Sequence, residues 1–174
     1  MTQSLEQFIA TNNGKPLEVN DPNNLYQCMD LAYGWIDNLE IPRAAIAHLY
    51  AYQVFTEPND QTRKYFDIIA NNPINSPKPG DLVVWGKKVG YAGHIAVCKE
   101  AGIFKLITFD QNWGGASFCR LIDHGWSYSG VLGWLHPRPL TAPLDPFKQV
   151  IHDIIYGGED ADTKVSKIKS LIPQ

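Results

Sequence analysis

"NNPINSPKPGDLVVW", residues 71–85, marks the place where the pattern of the chain changes. Three prolines and a glycine fall within its first ten residues. Proline lacks a backbone N–H and clashes with the preceding turn, so no helix passes through such a stretch. The "DLVVW" that follows (81–85) carries two valines and a tryptophan and reads as a strand. Further runs of strand character come after it: "HIAVC" (94–98), "FKLITFDQNW" (104–113), "SFCRLI" (117–122) and "GVLGWLH" (130–136). Gly-bearing turns separate them, and connections this short join antiparallel strands.

Upstream of the break the period is helical. Ser4 to Ala10 reads as a short helix stopped by "NNGKP". From Tyr26, a second helix carries Cys28, Leu31, Ala32, Trp35, Ile36 and Leu39 on one continuous apolar face. Pro42 is expected to open another helix containing Ile46, Leu49, Tyr50 and Val54. Asn59 or Asp60 is expected to cap one more, through Tyr65, Phe66 and Ile69. Helices first and strands after predict an α+β fold, with N-terminal helices packed on an antiparallel β-sheet; a doubly wound fold needs a βαβ alternation that is missing here.

"HPRPLTAPLDP" (136–146) holds four prolines and reads as a stiff linker. The expected organisation is a main domain over 1–138, a Pro-rich linker over 139–146 and a short helical appendage over 147–174. Two short amphipathic helices in that appendage bury too little to stand alone. They are a candidate docking or self-association element.

Composition narrows the function. Of 174 residues, 44% are apolar and 19% charged, a globular balance. A net charge of −3 without a basic stripe argues against nucleic acid. No apolar run approaches the roughly 20 residues of a membrane span. The start, "MTQSLEQFIATNNGK", shows neither a basic nor an apolar secretory segment, so the expected first location is a cytoplasm. Three widely spaced cysteines leave at least one free thiol, which suits a reducing compartment.

Cys28 lies near a helix start, where unpaired N–H groups favour a thiolate. It also lies on the apolar stripe, so the residue taken alone reads sooner as a buried, inert thiol. A thiol nucleophile needs a base. His48, His124, His136 and His152 sit in contexts that read as surface or packing, whereas His94 opens a strand behind Gly93. Asp110 and Asn112 in "FDQNW" project to one face of a strand, with Gln111 pointing away, and either could orient an imidazole. Zinc on His94, Cys98, Cys119 and His124 lacks the close ligand spacing of structural sites, and Cys98 and Cys119 read as strand packing.

In this order, "QCMDLA" (27–32), "PKPGDLVVW" (77–85), "GHIAV" (93–97) and "DQNW" (110–113) resemble the CHAP family over about residues 10–138. These are cysteine- and histidine-dependent amidohydrolases and peptidases that cut peptidoglycan. The resemblance implies a papain-like fold, Cys28 as nucleophile, His94 as general base and then acid, and Asp110 as the carboxylate that orients it. Asn112 would aid the imidazole or the oxyanion. Many relatives carry Glu where Asp110 stands, so the choice between Asp110 and Asn112 for the decisive contact stays open. The Cys28 backbone N–H is the natural oxyanion donor, with Gln27 a candidate second. Asp21, Asn23 and Asp30 are oxygen donors of the kind calcium prefers, and the resemblance implies a structural calcium loop before the cysteine helix. The chemistry itself needs no cofactor.

The implied function is a peptidoglycan hydrolase of phage endolysin type, either a cysteine endopeptidase or an N-acetylmuramoyl-L-alanine amidase. Such a protein would be held in the host cytoplasm until lysis or carried in a phage particle. Its partner would be the bacterial wall, for which the 147–174 appendage is a candidate wall-binding element, with no nucleic acid or membrane involved. The alternative is a non-catalytic wall- or partner-binding module on a decayed hydrolase fold.

Overall fold

Six strands form one sheet: β1 (Phe66–Ala70), β2 (Leu82–Trp85), β3 (His94–Gly102), β4 (Lys105–Asp110), β5 (Arg120–Asp123) and β6 (Val131–Pro137). Their order is β1-β6-β2-β3-β4-β5, and every neighbouring pair is antiparallel. This computed structural model describes residues 2–19, 26–72, 74–125 and 127–138. The expected linker and appendage lie outside the described residues. The α+β layout read from the sequence is the one observed.

Helices α1 (Leu5–Asn12), α2 (Cys28–Asn38), α3 (Gln53–Thr56) and α4 (Asp60–Tyr65) supply the apolar residues packed on one sheet face. Leu31, Ala32, Trp35 and Ile36 of α2 meet Leu82, Val84, Ile95, Val97, Phe109 and Leu135 there. The opposite face holds a second cluster of Val83, Trp85, Ala96, Cys98, Leu106, Val131 and Trp134. Strand β2 is therefore buried on both faces, which explains why "LVVW" is continuously apolar instead of alternating.

The Pro-rich break also fastens helix to sheet. Trp35 Nε1–H donates to the carbonyl of Gly80 at 2.8 Å. Asp81 Oδ2 accepts from the Lys78 N–H at 2.8 Å, and its Oδ1 lies 2.6 Å from His136 Nδ1. His136 was expected to be a surface or packing residue; it instead partners a carboxylate that is 1% exposed.

Two helical expectations are corrected. After Pro42 there is only a 3₁₀ turn, Arg43–Ala45, and then irregular chain as far as α3. A helix there would have buried Leu49, which is 81% exposed. Tertiary hydrogen bonds take its backbone instead: Asn59 Nδ2 donates to the Ala44 carbonyl, Thr62 Oγ1 to that of Ala45, and the Tyr52 N–H to that of Ala92. The expected helix through Ile69 ends at Tyr65, and Phe66–Ala70 is strand β1. Pairing with β6 outweighs the local helical period, since intrinsic propensity is a weak prior beside tertiary context.

Candidate active site

Cys28 is the first residue of α2 and is half-buried. Tyr26 takes a left-handed φ of 61° just before it, which turns the chain into the helix. Asp30 reaches back to accept from the Gln27 N–H at 2.7 Å, satisfying a donor the first turn leaves unpaired. Gln111 anchors the same point from the sheet. It is fully buried, and its Nε2 donates to the carbonyls of Gln27 (2.9 Å) and Leu17 (2.8 Å). Its Oε1 accepts from the Leu17 N–H (2.7 Å) and from the Cys119 thiol (3.2 Å). Gln111 does point away from Asp110, as expected, but toward the cysteine helix and not into solvent.

His94 opens β3 and is 6% exposed. Its Nε2 lies 2.5 Å from Asp110 Oδ1, which leaves Nδ1 as the nitrogen for the Cys28 sulfur. Burial alone would pull the imidazole pKa down. Hydrogen bonds to Asp110 and Cys28, with their charges, outweigh it and raise the value to about 9. Burial likewise pushes the Asp110 carboxyl up, but His124, His94 and Thr108 more than compensate and hold it below its ordinary range. Gly93 adopts φ +67°, and a Cβ there would sit 2.4 Å from the Trp85 carbonyl oxygen and 2.8 Å from Tyr52 Cβ. Its lack of a side chain serves the approach of neighbouring chain, and beside it Tyr50, Tyr52 and the 81% exposed Tyr91 form an aromatic group.

Asn112, the other candidate for the imidazole contact, donates from Nδ2 to Gln27 Oε1 at 2.9 Å. The structure thus brings Cys28, His94 and Asp110 together and sets Asn112 and Gln27 beside them as a pair. Cys98 and Cys119 are fully buried, and burial pushes both thiols up to about 12.

Three further residues complete the surroundings. Thr108 Oγ1–H donates to Asp110 Oδ2 and lies 2.8 Å from His124 Nε2. His124, expected to be a surface or packing residue, has a side chain only 8% exposed, with Nε2 3.8 Å from Asp110 Oδ2. The Trp113 ring packs edge-on against both imidazoles, 4.9 Å from His94 and 4.7 Å from His124. Strand parity does place Thr108 on the face of Asp110. The reach of His124 depends on the β4–β5 register, which no local pattern carries.

Of the expected calcium ligands, Asp21 and Asn23 lie outside the described residues. Asp30 is 2% exposed, and burial raises its carboxyl pKa, with the Glu18 carboxylate facing it adding to the shift. A buried carboxylate faced by a half-buried one suits a hard cation. Among the described residues no cluster of three such side chains forms.

The sequence model of the CHAP domain matches residues 19–112. A probable autolysin PH of Staphylococcus aureus (strain NCTC 8325 / PS 47) is 30% identical over 129 residues, covering 72% of this chain. That alignment covers 25% of the relative, so the chain spans about a quarter of the length of the curated relative it matches. The crystal structure of the endolysin LysIME-EF1 superposes with a TM-score of 0.60 at 22% identity, over 83% of this chain and 68% of that one. The structure of Ly7917 gives 0.56 at 16% identity, over 78% and 63%. These two likenesses speak for the fold, and together with the sequence match over the segment that carries Cys28, His94 and Asp110 they show that the chain belongs to the CHAP domain family.

Proposed function

We propose that this protein is a peptidoglycan hydrolase that cleaves peptide or amide bonds of the bacterial wall through Cys28, His94 and Asp110. The observation that carries the reading is a buried imidazole fixed by a carboxylate at 2.5 Å, with the helix-start thiol of Cys28 near enough to help raise its pKa. The names of its relatives, an autolysin and an endolysin, point to wall lysis as the setting.

In the first half-reaction the Cys28 sulfur attacks the amide carbonyl carbon. The C–N bond breaks as His94 delivers its proton to the leaving amine, and an acyl-thioester remains. Water then attacks the thioester carbonyl, giving its proton to His94, and the C–S bond breaks to release the acid. The oxyanion is served by the Cys28 backbone N–H, with the Gln27 side chain, held by Asn112, as second donor. Asp110 stays ionised and stabilises the imidazolium.

The phage endolysin setting is part of the proposal, and the names of the fold neighbours support it. A structural calcium ion is another part: Asp30 and Glu18, with Asp21 and Asn23, would hold it. It would neutralise facing carboxylates and pin the chain entering α2. Purified protein should clear suspensions of bacterial walls, and Cys28→Ala should abolish clearing. Mass analysis of the released fragments names the bond, since a new amino terminus separates an endopeptidase from an amidase acting at the sugar–peptide link. Clearing that persists in Cys28→Ala rejects the thiol mechanism, and binding to walls without clearing favours a binding module. Calcium should raise the melting temperature of the chelator-treated protein, and Asp30→Asn should remove that rise.

A further inference from the structure

We propose that His124 and Thr108 are positioning residues for Asp110, joined in a one-way hydrogen-bond chain that fixes the carboxylate against His94. The proposal rests on the hydrolase reading for its effect on rate, but its geometry stands independently.

The direction of the chain follows from counting protons. Thr108 Oγ1 lies between Asp110 Oδ2 and His124 Nε2, and a hydroxyl has a single proton to give. Asp110, held ionised, can only accept, so the Thr108 proton goes to Oδ2. The contact on the other side of the hydroxyl must then be donated by His124, which fixes its Nε2–H form. The sequence runs from His124 Nε2–H to Thr108 Oγ1–H to Asp110 Oδ2, while Asp110 Oδ1 receives His94 Nε2–H. A carboxylate gripped at both oxygens cannot rotate away from the imidazole. Each bond in such a chain polarises the next, most strongly where water is excluded. Thr108 and Asp110 are fully buried, and the Trp85 and Trp113 rings pack 5.2 and 4.7 Å from the His124 ring.

Other charged or titratable groups face this chain from each side. His94 and Cys28 stand beyond Oδ1, and the Asp110 charge reaches the buried Cys119 thiol. Arg120 lies across the β4–β5 ladder from Asp110 and donates to the Trp113 carbonyl. Asp123 precedes His124 and accepts from the Gly125 N–H, which directs its carboxylate to the turn. None of these replaces the Thr108 contact on Oδ2.

The test is ring-nitrogen NMR of the isotope-labelled full chain, beside wall-digestion kinetics. His124 should show the Nε2–H tautomer in the unmodified protein. The His94 midpoint should fall in Thr108→Val and in His124→Phe, and return toward the unmodified value in Thr108→Ser and in His124→Gln, whose amide N–H replaces Nε2–H. kcat should fall about tenfold in the first two variants with KM unchanged, the size expected for one hydrogen bond to a charged group. Because the two residues act in series, the double variant should lose no more than Thr108→Val alone. An Nδ1–H tautomer at His124, or an unmoved His94 midpoint in Thr108→Val and His124→Phe, would overturn the chain. The tautomer needs no variant to be read, so a poorly folding substitution does not protect the idea. Digestion by Cys28→Ala, measured in parallel, would overturn the thiol mechanism, and walls bound but not digested by the unmodified protein would overturn the hydrolase reading, neither touching the tautomer result.

Discussion

An imidazole that is 6% exposed yet keeps its proton up to about 9 is held by its partners against the pull of burial. Two consequences follow at the level of single residues. In a thiolate–imidazolium site, His94 must be protonated to serve the leaving amine, so activity should fall on the alkaline side near its pKa. Asp110→Asn keeps an oxygen but removes the charge; it should shift that limb to lower pH and cut kcat roughly 100-fold or more. Asn112→Ala should leave the limb in place, because Asn112 contacts Gln27 and not His94. A pH–rate profile of both variants checks this. Stability obeys the same signs. His94 has a folded pKa above its unfolded 6.5, so its contribution is full below that value and is lost as pH rises through about 9. Asp110 has a lowered folded pKa, so its contribution is present above the unfolded 3.8 and is lost only as pH falls through the lower folded value. Melting temperatures across pH should decline on the alkaline side, and Asp110→Asn should flatten that decline.

At the scale of elements, the site depends on how the start of α2 is tied to the end of β4. Gln111 makes that tie with four hydrogen bonds, none of which leucine can make. Gln111→Leu leaves the Leu17 N–H and two carbonyls without their partner and should cost about 2–4 kcal/mol. Denaturant unfolding measures the loss, and kcat should drop with it because Cys28 is no longer registered against His94. The residue was in plain view in "DQNW", and parity alone said that it faces away from Asp110. What parity does not contain is that the opposite face at this point is the cysteine helix. The strands from β2 onward were legible because β-branched runs bounded by glycine carry their own signal. Strand β1 was not, because Phe66 and Ile69 fit a helical period as well as a strand and only pairing with β6 decides between them. Cys28, His94 and Asp110 were legible through their neighbours in sequence. Thr108 and His124 were not, since their meeting is a property of the β4–β5 register.

For the whole molecule, the order of the strands sets where the chain can be cut. Strand β6 comes last in sequence among the described strands but lies inside the sheet, between β1 and β2. It buries Trp134 on one face and Leu135 on the other, so it joins both apolar clusters. Just beyond it the Arg138 N–H donates to the Tyr65 carbonyl at 2.9 Å, and its Nε to Asp67 Oδ1 at 2.8 Å, fastening the β1 edge. Every strand pairing in the sheet is complete by Pro137. The domain boundary expected after residue 138 can therefore be tested directly. A chain stopped after Arg138 should unfold in one cooperative step within a few degrees of the 174-residue protein and keep the His94 titration midpoint. One stopped at Gly130 removes the strand that bridges both faces and should not fold, because β1 then loses its only sheet neighbour among the described residues and β2 loses one side. A fall of more than about 10 °C in the chain stopped after Arg138, which for a domain of this size is several kcal/mol, would instead make residues 139–174 part of the stability of the fold.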